Sequence, residues 1–395
     1  MIQELAAGIF YTGVNERKSK LFESLWPLPY GVSYNSYLIV DEKVVLVDMA
    51  EESMSDLHFL KLKAILGDRP IDYVVINHME PDHTGSLRAL YSAYPEITVI
   101  GNNKTLAMVE GFYDIHPKTL KVIDGDEINI GTHTLRFHLT PMLHWPETMM
   151  TYEVTTQTLF SGDAFGCFGA LNGAIMDYEI DLSLYWDEMR RYYATIVGKY
   201  GSPVQMALKK LQHVPISMIC STHGPVWKEN VAKVIGLYDR YSRYEAEQGV
   251  VVAYGSMYGH TAIMAEQVAE SIAAGGIRNI QVFDVSSTDS SFILSAIFAW
   301  KGLVLAGPVY NSALFPPLQY LMDEIKARDI KDRIFGSLGT YAWGAQPLRL
   351  FEEFGNQMKW QSVHPTIEQK YAMHAYRDTP CDALGKAMAE ALLKR

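Results

Sequence analysis

The segment INHMEPDHTGS packs His78, Glu80, Asp82 and His83 into six residues, directly after the apolar run YVVI. Three later apolar runs end on groups of the same kind: His144 in MLHWPE, Asp163 in LFSGDAF and His223 in CSTHGP. Imidazole and carboxylate ligands without thiolate suit iron, manganese or zinc. Four histidines and three carboxylates are too many for one tetrahedral ion and sufficient for two. Asp163 is the natural bridge, because it arrives on its own strand and each carboxylate oxygen can face a different cation. Alternate residues of an extended chain point to one side, so His78, Glu80 and Asp82 can converge, although Pro81 makes this a turn rather than a continuing strand. Any one of the seven reads equally well as a solvated loop or capping residue. Seven together, at strand ends beside Gly or Pro, read as a metal site.

A second set lies further along. After VVVAY come Gly255, Ser256, Met257, Tyr258, Gly259, His260 and Thr261, and then a helical stretch. Hydroxyl and backbone N–H donors at a helix N-terminus form a cradle for phosphate. The turn lacks both the Lys of a P-loop and the GxGxxG of a dinucleotide site. Two later loops also follow apolar runs: Pro308, Val309, Tyr310 and Asn311 in AGPVYN, and Gly339, Thr340, Tyr341, Ala342, Trp343 and Gly344 in GTYAWGAQP. Their aromatic rings can stack on a flat ligand, with core packing the competing role for Trp343.

These groups need elements to hold them. Upstream of residue 248 the chain reads as many short strands with few helices: Tyr37–Val40, Val44–Asp48, Tyr73–Asn77, Ile97–Gly101, Leu135–Leu139, Met150–Thr155, Leu159–Ser161 and Met218–Ser221. Tyr185–Lys199 and Asn230–Gln248 show helical composition, the latter as a bridging helix. From Val250 strands and helices alternate, and five βα units in ~145 residues predict a doubly wound parallel sheet with its ligand beyond the carboxyl ends of the strands. Pro365 places the fifth strand at an edge. The expected domains are therefore 1–247 and 248–395.

Composition narrows the function. The chain has 395 residues, 48% hydrophobic and 20% charged, which is ordinary globular usage. The net charge is -11, about -10 of it before residue 248, and this argues against a nucleic-acid partner. The longest strongly apolar stretch, Phe292–Trp300, is far short of a bilayer span, and the N-terminus lacks a secretory pattern, so no membrane partner and a cytoplasmic location are expected. Cys167, Cys220 and Cys381 are too scattered for a disulfide framework or a thiolate metal cage.

The pattern HxExDH followed by separate His, Asp and His on later strands resembles the metallo-β-lactamase fold, an αββα sandwich. Hydrolases of that fold usually carry His where this chain has Glu80. That departure, with the three flavodoxin-like loops downstream, resembles the flavodiiron (A-type flavoprotein) family over essentially the whole chain. The spacing agrees: roughly 60 residues separate Asp82 from His144 and Asp163 from His223, and roughly 20 separate His144 from Asp163. The resemblance implies that His78, Glu80 and His144 hold one iron, that Asp82, His83 and His223 hold the other, and that Asp163 bridges them. It implies that Ser256–Thr261 hold the FMN phosphate while the two later loops enclose the isoalloxazine. Where the family often has His-Gly-Tyr near the irons, this chain has Ser24, Leu25, Trp26 and Pro27. Tyr192 and Tyr193 are candidates to line the metal pocket, and Trp145 to contact the flavin of another subunit.

The implied activity is reduction of dioxygen to water or nitric oxide to nitrous oxide, with electrons passed from FMN to a non-haem di-iron centre. No rubredoxin-like CxxC segment and no pyridine-nucleotide domain follow Arg395, so the expected donor is a separate protein such as a rubredoxin or a reduced cofactor. A head-to-tail homodimer, or a dimer of such dimers, is the expected assembly. Two rivals compete: a dizinc hydrolase of the metallo-β-lactamase fold fused to a flavodoxin, which Glu80 disfavours, and an electron-shuttling protein with a vestigial metal half, which the full ligand set disfavours.

Overall fold

The computed structural model describes residues 2–344, 347–376 and 379–394. The chain divides into two compact units, Met1–Tyr193 with Ser202–Asp239, and Ala194–Gly201 with Arg240–Arg395.

The first unit contains two large sheets. One has seven strands in the order Gln3–Ala6, Ile9–Tyr11, Tyr37–Val40, Val44–Val47, Tyr73–Val75, Thr98–Gly101 and Lys118–Lys121. The other has five: Glu127–Asn129, Thr134–Leu139, Met149–Glu153, Thr158–Gly162 and Met218–Ser221. Val44–Val47 is buried at every residue, because both faces of its sheet are covered. One face packs Leu38, Leu46, Val74 and Val99 against Leu62, Leu90 and Val109 of flanking helices. The other faces the second sheet, where Tyr37 packs on Phe160 with ring centroids 5.3 Å apart and donates its hydroxyl to the Ser221 carbonyl at 2.6 Å. This is the expected αββα sandwich.

All eight strands read from the sequence in this half are present, with ends shifted by a residue or two. The expectation of few helices was wrong. Ser55–Leu66, Leu87–Ala93, Asn103–Tyr113 and Gly201–Leu211 are also helical. The bridging helix is shorter than expected as well, ending at Ser242, and Glu247 already begins a strand. The reason is tertiary: Tyr244 adopts φ 56°, its carbonyl accepts from buried Arg333 at 2.9 Å, and its hydroxyl donates to Gly198 O at 3.1 Å.

The second unit is a parallel sheet in the order Ile280–Asp284, Glu247–Tyr254, Trp300–Tyr310, Ile334–Tyr341, Gln361–Ser362, the doubly wound order of flavodoxin. The fifth position is split around Pro365 into Gln361–Ser362 and Ile367–Lys370, both paired with Ile334–Tyr341 at the edge. Val250, Val252, Val304 and Leu338 meet Met264, Val268, Leu384 and Met388 in its core. Each such fully buried side chain contributes roughly 1.5–3 kcal/mol relative to exposure. Among the described residues no helix is long and apolar enough to cross a membrane.

Candidate functional site

The metal candidates sit at strand ends of the first unit. Strand Tyr73–Val75 leads into Asn77, which is pinned: its N–H and Nδ2 donate to the two oxygens of Asp48 at 2.8 and 2.9 Å, and its Oδ1 accepts from Thr151 at 2.7 Å. The backbone is extended at Glu80 and then enters a one-turn helix, Pro81–Thr84. Pro81 opens it, where a missing N–H costs no hydrogen bond. The change of conformation separates the ligand candidates. His78 and Glu80 therefore precede the turn, and Asp82 and His83 lie within it.

Asp163 joins the two groups. Its Oδ2 lies 3.0 Å from His144 Nε2 and 3.5 Å from His78 Nε2, while Glu80 Oε2 lies 3.1 Å from His78 and 3.2 Å from His144. Its Oδ1 lies 2.8 Å from His83 Nε2 and 3.4 Å from His223 Nε2, while Asp82 lies 3.3 Å from His83 and 3.2 Å from His223. All seven residues therefore converge as two half-sites on the two oxygens of one carboxylate. His83 also belongs with His78, Glu80 and Asp163 as a set whose ligand atoms lie within 4.8 Å of one another.

The chemistry of these donors fits metal ions. Both oxygens of Asp82 and the Nε2 atoms of His83 and His223 are buried, yet none is aligned for a hydrogen bond. Burial opposes charge on each group, but the close carboxylates outweigh it and hold His78, His83, His144 and His223 above the ordinary histidine range. Asp163 is likewise held low despite complete burial, by the imidazoles of His83, His144 and His223. Without cations, protons balance this cluster; metal ions would displace them.

Residues beyond the seven complete the surroundings. Glu147 Oε1 meets His78 Nδ1 at 2.8 Å, and Ser33 O meets His223 Nδ1 at 2.8 Å. Glu147 stood in the MLHWPE motif, but nothing in sequence spacing aims it at His78. Glu23 sits at the tip of the hairpin Leu21–Phe22/Trp26–Pro27, with φ 51°, and accepts from Trp26 Nε1 at 3.1 Å. Burial and the adjacent Glu80 push its carboxyl up to about 7. Its distance in sequence from Glu80 hid it. Tyr192 does line the centre, with its ring 5.5 Å from His223, while Tyr193 packs edge-on against Tyr238 at 5.1 Å. Trp145 stands edge-on to His78 at 5.1 Å.

In the second unit a cleft of about 850 Å³ opens at the carboxyl ends of the strands, within the usual size for small-molecule sites. It is lined by Ser256, Met257, Tyr258, His260, Thr261, Pro308, Val309, Tyr310, Asn311, Thr340, Tyr341, Ala342, Trp343 and Gly344. Ser312, Tyr371 and Ala372 join them and were not anticipated from the sequence. Gly259 and Gly339 do not line the cleft. Gly259 takes φ 90° to start the helix His260–Ala274, and a Cβ on Gly339 would meet Pro347 at 2.6 Å. Ala345 and Gln346 of the third loop lie outside the described residues. Trp343 is 84% exposed and Tyr258 86%, so neither is core, and both offer faces for a planar group. No Lys or Arg lines the cleft among the described residues, and Thr261 and Thr340 bring their hydroxyl oxygens to 2.9 Å of each other. Neutral N–H and O–H donors below and aromatic faces above suit a phosphorylated flat ring such as FMN.

Comparison with known proteins agrees with both halves. A family model described as ODP family beta lactamase matches residues 32–224, the stretch that carries all seven metal candidates. An uncharacterized protein of Methanocaldococcus jannaschii is 33% identical over 99% of this chain and 98% of its own length. The anaerobic nitric oxide reductase flavorubredoxin of Aliivibrio fischeri is 32% identical over 79% of the chain, which spans 64% of that relative's length. Rubredoxin oxygen:oxidoreductase from Desulfovibrio gigas superposes with a TM-score of 0.95 at 24% identity, covering 100% of this chain and 99% of that one. The flavodiiron protein from Giardia intestinalis superposes with a TM-score of 0.92 at 26% identity, covering 100% and 98%. With the sandwich, the doubly wound unit and both site geometries on the same chain, these likenesses establish that the protein belongs to the flavodiiron family.

Proposed function

We propose that this protein is an oxidoreductase that reduces dioxygen to water, nitric oxide to nitrous oxide, or both, using two irons and one FMN. The observation that carries the reading is the splitting of Asp163, whose two oxygens face separate histidine pairs. When bound, the flavin would interconvert two-electron and one-electron chemistry, and the irons would bind the diatomic gas.

The remaining work falls to the chain's own side chains. His78, Glu80 and His144 would hold one iron, Asp82, His83 and His223 the other, and Asp163 both. Three carboxylates supply negative charge toward two divalent ions, which favours the higher oxidation state in a way a zinc hydrolase does not need. Glu147 and the Ser33 carbonyl hold two of the imidazoles in place. Tyr192 and Phe22 pack over His223, at 5.5 Å each, and limit water on that side. In the second unit, Ser256–Thr261 would take the FMN phosphate, and Tyr310 and Trp343 would flank the ring. Family membership displaces the dizinc hydrolase alternative.

Three further points belong to the same reading. Electrons would come from a rubredoxin-like protein or reduced cofactor, in line with the names of the Desulfovibrio and Aliivibrio relatives. The assembly would be a head-to-tail dimer, each flavin serving its partner's irons. The cytoplasm suits the three free, buried cysteines. The test is anaerobic turnover with dioxygen and nitric oxide side by side, on protein whose iron and FMN have been counted. Consumption of neither gas by loaded protein supplied with reductant would refute the proposal.

A further inference from the structure

Glu147 lies just past His144 in sequence, yet its carboxylate serves His78. Oε1 lies 2.8 Å from His78 Nδ1 and accepts the Met79 N–H at 2.9 Å. The residue is 1% exposed, and Asn102 donates to its main-chain carbonyl, so both ends of the residue are held. An imidazole nitrogen facing a carboxylate keeps its hydrogen when the ring gives up its other proton to a metal, which leaves Nε2 as the ligating atom. In His78 that atom is the one turned toward Glu80 and Asp163.

His223, on the other half-site, is oriented in the same way but by a neutral group, the Ser33 carbonyl at 2.8 Å. A full negative charge therefore stands behind one imidazole, and only a dipole behind the other. A carboxylate partner raises the basicity of a ligating histidine more than a carbonyl does.

We propose that Glu147 is a positioning residue: it fixes the Nε2-donating form of His78 and makes the half-site of His78, Glu80 and His144 the tighter of the two iron sites. The inference rests on the di-iron reading above, and its test separates the two. Full-length protein freed of metal is titrated anaerobically with Fe2+ against a competing ferrous chelator. If the parent fails to take up about two irons per chain, the di-iron reading itself fails. If it does, Glu147→Gln tests the inference, because the amide keeps an acceptor oxygen for both donors and removes the charge. The expected result is a first, tighter equivalent weakened about 10–100-fold and a second left at parental affinity. The split between the two equivalents is the deciding readout, because a merely structural role for Glu147 would weaken both. Two equivalents at parental affinity, two weakened equally, or weakening of the second alone would overturn the proposal.

Discussion

Oδ2 of Asp163 lies 3.0 Å from Nε2 of His144, while the opposite oxygen of the same carboxylate is turned to the other half-site. Replacement by Asn keeps the shape and removes the charge, and a neutral amide bridges two cations poorly. Asp163→Asn should therefore fall from about two irons per chain to fewer than about one, with turnover lost in parallel. Metal analysis after purification checks this, and full iron with full turnover would show that the bridge lies elsewhere.

Thr261 is buried in the flavin cleft with its hydroxyl against Thr340. Thr261→Val keeps the volume and deletes the donor. A hydrogen bond to a charged group contributes roughly 1.5–3 kcal/mol, so FMN should bind about 10–100-fold more weakly. Quenching of flavin fluorescence on titration gives the affinity directly.

His58, which belongs to neither set of site residues, supplies a pH prediction. It is fully buried, Nε2 meets the Ser36 hydroxyl at 3.0 Å, and burial followed by the charge of Lys61 pushes its pKa down to about 3. The native state keeps it neutral, whereas the unfolded chain protonates below about 6.5. Stability from this group is thus present above that value and is lost progressively as pH falls toward about 3. Between pH 7 and pH 5.5 the loss should reach about 1 kcal/mol, and urea unfolding of His58→Gln should lack that component.

Electron transfer between subunits can be tested by mixing two inactive variants. One carries His78→Ala with Asp163→Ala, the other Ser256→Ala with Thr261→Ala. Closed twofold symmetry makes the two junctions of a head-to-tail dimer equivalent, so a mixed dimer should regain one of them. The expected activity is about half that of the parent, measured on mixed dimers isolated with two different tags. Mixed dimers without activity would place transfer within one chain.

Much of this protein was legible in its sequence, for identifiable reasons. His78, Glu80, Asp82 and His83 lie so close together that no folding was needed to notice them, and Asp163 and His223 follow short apolar runs that read as strands. The flavin loops were equally clear, because from Val250 onward buried parallel strands alternate regularly with helices. The helix Ser55–Leu66 was missed because His58, Leu62 and Leu66 are buried while Leu57 and Leu60 are exposed, so its apolar residues outline no single face. The helix after Asn230 carries no stop signal of its own. Arg333 and Gly198, distant in sequence, capture Tyr244 and end it. The half-sites were implied by resemblance alone, and only the tertiary structure supplied the contacts that join them through Asp163. Only it could bring Glu23 to Glu80, Glu147 to His78 and Tyr371 into the flavin cleft. The sequence thus determined which groups were available and at which strand ends. How they face one another was decided by the packing of sheets and hairpins, which depends on contacts between residues that no local pattern relates.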